Sequence, residues 1–317
     1  MAVRPLSDVQ AVPQKLTGSA APVVQSAPAA AREESESETV IAPSAGWIGV
    51  NWGELVRGRE LLYFLIWRDI KVRYKQAMLG AAWVVLQPLF NIVLFTLVFG
   101  RVAGFDKWLG PGWEAAYPVF VLAALLPWQL FATALNGGGM SLLAQQNILT
   151  KIYFPRLYVP TSVVGGALVD LAISLLFVAV LMVWFRVAPS RGLTLLLPLL
   201  ALTIGCALGA AYLFSALTVT YRDFRFLIPF IGQVWMYASF VAFPPYFLSP
   251  KLRLVLSLNP MYGIVAAWRR VLLPGIPDRV TGWDPRCLGI SVLVAAGLLA
   301  LGLFYFRRTE RRFADIA

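Results

Sequence analysis

Six long apolar stretches, at about 79–100, 117–135, 159–185, 193–218, 226–243 and 288–306, dominate the chain. A run of roughly 18 or more apolar residues carries a helix through about 30 Å of hydrocarbon with its backbone groups satisfied internally. The pattern predicts an all-α membrane protein with six transmembrane helices. The second and fifth stretches are the shortest. Pro88, Pro127, Pro198 and Pro229 fall within or near these stretches and predict local kinks or unwinding.

The segments between and before the spans carry patterns of their own. Over residues 54–75, Leu62, Ile66, Ile70, Tyr74, Tyr63 and Trp67 fall on one broad arc at helical spacing, with Arg68, Lys71 and Lys75 opposite and Arg73 at the edge of the apolar arc. This predicts an amphipathic helix in the membrane interface, its rings among the headgroups and its cations toward phosphate. Residues 1–46 are rich in Ala, Pro, Ser and Val, with acids at Glu33, Glu34, Glu36 and Glu38, and have no apolar run. They predict a disordered cytoplasmic extension. The domain reading is therefore 1–46 extension, 47–78 amphipathic-helix region and 79–317 permeation domain.

Between the fifth and sixth stretches, 244–287 alternates helix breakers with apolar pieces too short to span. Such pieces predict re-entrant helices, tolerated at membrane depth where protein or a wet cavity covers their backbone, here capping an extracytoplasmic exit. Segment 140–157 mixes a short apolar helix with Gln145, Gln146, Asn147 and Lys151. It reads as a plain loop or as a short coupling helix that docks into a partner ATPase.

Lys and Arg set the orientation. With the N-terminus inside, cytoplasmic segments from Arg57 onward hold fourteen of them, the two short outer loops hold only Arg101, Lys107, Arg186 and Arg191, and the long loop 244–287, a weak guide to orientation, holds six. That asymmetry predicts both termini on the cytoplasmic side of the inner membrane. The net charge of +11 belongs to these juxtamembrane cations, which favour anionic lipid, and no nucleic-acid partner is implied.

Composition mainly excludes. The chain is 59% hydrophobic and 14% charged, and it has no histidine. Imidazole acid–base chemistry, His-based nucleophile triads and the usual zinc sites are therefore out, and no metal-ligand spacing is present. Cys206 and Cys287 are far apart and read as ordinary apolar residues. No catalytic constellation and no phosphate-binding G-x-x-x-x-G-K-[ST] loop occurs, so nucleotide-driven transport requires a second polypeptide. Asp170 is the one acid deep in a span, either contacting transported cargo or a proton, or hydrogen-bonding between helices. Among the aromatics, 13% of the chain, Trp83, Phe90, Phe95, Trp128, Trp235, Tyr237 and Phe240 are placed to line a channel, where sugar rings stack on them, or to face lipid and core.

The strings WRDIKVRYKQAMLGAAWVVLQPL, KIYFPRLYVPTSVVGGALVD, YRDFRFLIPFIGQVWMYASFVAFP, LNPMYGIVAAWRR and FRRTERRFADIA, in this order from about Glu54 to Ala317, resemble the type-2 ABC permeases that export O-antigen, capsular polysaccharide or teichoic acid. The resemblance implies a homodimer of six-span permeases with two ATPase subunits, which bind the ATP and Mg; the permease chain holds no cofactor. It implies a gate helix at about 54–75, whose Arg68, Lys71, Arg73 and Lys75 meet the pyrophosphate of a lipid-linked polysaccharide. It implies ATPase coupling around Gln145–Pro155 and an outer cap near Asn259, Pro260, Arg269 and Arg270. FPPYFL stands where the family has a Pro-Val-Tyr-like stretch. The competing reading within transport is a permease of the same type for a small lipid or drug. A membrane glycosyl- or acyltransferase lacks its acids or histidine, and a secondary transporter lacks an inverted repeat.

Overall fold

The computed structural model describes residues 58–75, 82–146, 155–187 and 191–310, all within one compact unit, Gly46–Ala317. The extension over 1–46 lies outside the described residues. The described part is helical, with no strand among these residues. Helix α1 (Arg59–Lys75) precedes α2 (Ala82–Phe95), which continues as a π-helix over Thr96–Val102. Helix α3 (Tyr117–Thr133) runs through a second π segment, Ala134–Gly138, into α4 (Gly139–Ala144). There follow α5 (Tyr158–Trp184), α6 (Leu196–Thr220) and α7 (Phe224–Ala238). Three short helices, α8 (Pro250–Leu256), α9 (Pro260–Leu272) and α10 (Asp278–Thr281), lead to α11 (Pro285–Glu310).

Among the described residues, four helices are long and apolar enough to cross a membrane: Glu114–Ala144, Tyr158–Trp184, Gly192–Thr220 and Asp278–Glu310. The expected second span, one of the two shortest in sequence, is therefore among the long ones, because the chain stays helical through the π segment and into α4. It is also the most enclosed, with 78% of its apolar window buried. The expected first and fifth spans correspond to shorter helices, Leu86–Val102 and Phe224–Ala238.

Packing follows from where side chains are smallest. Helices α6 and α11 cross where Gly209 and Gly302 meet; a Cβ on Gly209 would strike the backbone of Leu298 and Leu299. Such close approach lets helices associate without a hydrophobic driving force, by contact and dispersion alone. At the α3–α4 junction, Gly138 lies against Ala211 of α6 and Gly139 against Ile228 of α7. Helix α3 forms the centre, with Phe120, Leu125 and Phe131 excluded from solvent.

The breakers in 244–287 set its geometry. Ser249 and Asn259 each cap a helix whose first residue is proline: Ser249 Oγ accepts from Leu252 N–H at 3.3 Å, and Asn259 Oδ1 from Met261 N–H at 3.0 Å. Proline loses nothing at that position, where the N–H has no helical partner. Helix α9 is nevertheless buried along almost its whole length. It is held by Trp268 Nε1 donating to Thr203 Oγ1 at 3.2 Å and by Gly263 set against Ser291.

Candidate functional site: the α1 helix and the opposite helical cap

Helix α1 does not present its whole apolar arc to one environment. Leu65 is buried, and Leu61 and Leu62 pack with it against Leu157, Tyr158 and Phe306. Two glycines permit this seat: Gly58 accommodates the Tyr158 ring and Gly165 the Ile66 side chain. Tyr63, Phe64 and Trp67 stay exposed. The expectation of a helix lying in the interface is thus modified, because part of its apolar surface packs against α5 and Phe306 of α11.

Arg68 and Lys71 lie along the same helix, Lys71 on the side of the exposed rings. Arg68 pairs with Asp69, Nη2 to Oδ1 at 2.8 Å, with side chains 27% and 24% exposed. Lys71 is exposed, its ammonium 5.2 Å from the Trp67 ring centroid one turn earlier. Both keep surface open to an anionic ligand, and charge-assisted bonds of guanidinium or ammonium to phosphate are the strong class. The Arg73, Lys75 and Trp83 side chains, and all of Asn147 and Lys151, lie outside the described residues. Asp69, which lies 3.1 Å from Ser162 Oγ, shows in the sequence only as an acid embedded in a cationic helix.

Of the coupling candidates, Gln145 closes α4, its N–H donating to Ser141 O at 3.1 Å. Gln146 and Pro155 flank the undescribed stretch. Asp170 sits midway along α5, partly buried and with an interaction partner.

The aromatic candidates divide. Phe95, Trp128 and Phe240 are buried in the subunit, and Trp235 packs edge-on against Phe131 at 5.0 Å. Phe90 on α2 and Tyr237 on α7 are exposed, as are Phe226 and Phe230 on the same helix. Phe240 has φ 54°, a left-handed conformation unusual for a bulky side chain. It terminates α7, held by Phe243 at 5.0 Å and Tyr262 at 6.0 Å.

The cap candidates also divide. Asn259 Nδ2 donates to Ser239 Oγ at 2.8 Å, tying the start of α9 to the end of α7. Pro260 is buried. Arg269 is 1% exposed; Nη2 donates to Val241 O at 2.8 Å, Nε to Phe120 O at 3.4 Å, and its guanidinium lies 3.9 Å from the Phe120 ring centroid. Arg270 points outward to Asp278, 2.9 Å from Oδ1. One arginine of the pair is an internal clamp and the other a surface residue.

Among the described residues the fold is all-helical, with four helices long and apolar enough to cross a membrane, a cation-bearing helix, α1, at one end and the buried short helix α9 at the other. The sequence profile of the ABC-2 type transporter family matches residues 60–273, and the chain belongs to that family. It is similar to the O-antigen export system permease protein RfbA of Myxococcus xanthus, 27% identical over 259 residues covering 81% of this chain and 96% of the relative. A protein of the same description from Klebsiella pneumoniae is 25% identical over 260 residues, covering 81% and 95%. The polysialic acid transport protein KpsM of Escherichia coli is 25% identical over 256 residues, covering 78% and 92%.

Proposed function

We propose that this chain is the permease subunit of an ATP-driven exporter that moves lipid-linked polysaccharide across the cytoplasmic membrane. A homodimer crosses the membrane six times per subunit with all termini cytoplasmic, and two separate ATPase subunits bind ATP and Mg. The observation that carries the reading is α1: exposed Lys71 and partly exposed Arg68 beside exposed Tyr63 and Trp67, on a helix seated against a long apolar one. Rings suit the headgroup zone and cations suit the pyrophosphate of the lipid carrier. The relatives, O-antigen export and polysialic acid transport proteins, suggest the cargo class.

In this reading, ATP binding closes the ATPase pair and displaces the segment around Gln145–Pro155. The exposed faces of α2 and α7 then part from those of the second copy. Phe90, Phe226, Phe230 and Tyr237 face the polymer, whose sugar C–H faces stack on rings, while the lipid tail stays in the bilayer. The short helices α8 and α9 dip from the outer side as a re-entrant cap. The test is the double substitution of Arg68 and Lys71 by alanine. Export of polymer falls steeply while the amount of permease in the membrane is unchanged; normal export by that variant would overturn the reading.

A further inference from the structure

Asp69 lies between the cations that the gate helix offers to phosphate, and an acid there weakens the attraction for an anion. Its geometry gives it a purpose. Oδ1 accepts from Arg68 Nη2 at 2.8 Å and from Nε at 3.1 Å, so the guanidinium is held through one edge. Oδ2 lies 3.1 Å from Ser162 Oγ, whose single hydroxyl hydrogen it shares with Val159 O at 2.9 Å, and Ser162 is completely buried on α5. The rest of the α1 seat is apolar, built from Leu61, Leu62, Leu65 and Ile66. The carboxylate thus joins the helix to α5 and restrains Arg68 at the same time.

We propose that Asp69 is a positioning residue, a latch that holds the C-terminal half of α1 on Ser162 while Arg68 is unliganded and that a pyrophosphate-bearing lipid releases by taking Arg68. This rests on the reading of α1 as the helix that meets the lipid-linked substrate. Pyrophosphate brings more charge and more acceptor oxygens to a guanidinium than one carboxylate can. Once Arg68 turns to it, Asp69 keeps, among the described residues, a neutral hydroxyl donor, and its charge is better solvated by water than by the edge of α5. The apolar seat at Leu61 and Leu65 stays in place, so the helix pivots there and its last two turns swing out. Cargo recognition and opening of the entrance then become one exchange of partners.

The experiment uses the complete transporter, permease with its ATPase, in nanodiscs. Ile70→Cys places a partly buried thiol beside the latch; the native Cys206 and Cys287 are buried and give little background. Maleimide labelling of Ile70→Cys is followed with a polyprenyl pyrophosphate, with the matching monophosphate, and with neither, and retention of radiolabelled pyrophosphate lipid is measured in parallel. Labelling accelerates severalfold with pyrophosphate and less with monophosphate. In Asp69→Asn and Ser162→Ala backgrounds it is fast from the start and the lipid adds nothing, whereas Asp69→Glu recovers part of the dependence. Lipid retained through Arg68 with no change in labelling, or parental behaviour in both Asp69→Asn and Ser162→Ala, overturns the latch alone. No retention, or retention indifferent to Arg68→Ala, overturns the gate-helix reading as well.

Discussion

At one end of the subunit Arg68 stands a quarter exposed, paired with an acid on its own helix and reachable by a ligand. At the other, Arg269 is sealed in the protein, its guanidinium spent on two backbone carbonyls and the face of Phe120. A guanidinium that solvent can reach can exchange partners at modest cost. One buried in the core cannot leave without stranding the groups it satisfies. The same side chain is therefore available for recognition at the α1 end and is part of the frame at the cap end.

The sharpest way to break this comparison is Arg269→Ala. The carbonyl of Val241 loses its donor, at about 1–3 kcal/mol, the carbonyl of Phe120 loses a longer contact at 3.4 Å, and the removed side chain leaves a cavity beside Phe120. We expect loss of most of the folded permease, read as a collapsed monodisperse peak and a large fall in thermal midpoint in detergent. Arg269→Lys recovers little, since an ammonium cannot reproduce the flat, forked contact with both carbonyls and the ring. Wild-type thermal stability in Arg269→Ala would place that residue in the same category as Arg68.

How far the sequence discloses this division depends on which physical quantity it records. Length and apolarity decide that a segment suits hydrocarbon, so Tyr158–Trp184, Leu196–Thr220 and Pro285–Glu310 fall close to the spans expected at 159–185, 193–218 and 288–306. Cap residues act locally, so Ser-Pro and Asn-Pro mark the starts of α8 and α9. Enclosure is not local. Nothing in 117–135 says that α3 will lie in the most enclosed of the four long apolar helices, because an apolar side chain is equally suited to lipid and to protein core. For the same reason the arc on α1 does not reveal that Leu62 and Ile66 turn to α5 while Tyr63 and Trp67 do not. Arg269 and Arg270 look alike on the page, and 100° of helical rotation separates a core from a surface.

Next in size is Gly209→Leu. The comparison assumes that the bundle between the two ends is rigid enough to keep their roles apart, and the α6–α11 crossing is its tightest joint. A side chain there meets the backbone of Leu298 and Leu299, which cannot move aside like the tip of a flexible side chain. Overpacking of this kind costs about 1–3 kcal/mol, more where backbone must shift. The checkable outcome is a drop in thermal midpoint smaller than that of Arg269→Ala, with the Arg68-dependent retention of pyrophosphate lipid kept by the molecules that remain folded.

Asn259→Ala sharpens the cap end at a smaller scale. Its Oδ1 caps α9 and its Nδ2 reaches Ser239, so the change removes an N-cap, about 1 kcal/mol, and a tie between α9 and α7. Hydrogen exchange should rise in the first turn of α9 and near Ser239. Protection along α1 should be unaltered, since the two ends share no contact through this residue. Asn259→Asp restores the cap without the tie and separates the two contributions.

The smallest effect is expected one residue from the largest. Arg270 pairs with Asp278 at 2.9 Å, but the side chains are 40% and 52% exposed. An ion pair in that setting contributes about 0–1 kcal/mol, because water and salt already solvate both charges. Arg270→Ala should therefore leave the thermal midpoint nearly unchanged, and whatever difference exists should shrink further as salt is raised. If instead Arg270→Ala were as damaging as Arg269→Ala, solvent exposure would not be what separates an exchangeable cation from a structural one. The assignment of Arg68 as exchangeable, which rests on the same distinction, would then lose its physical basis.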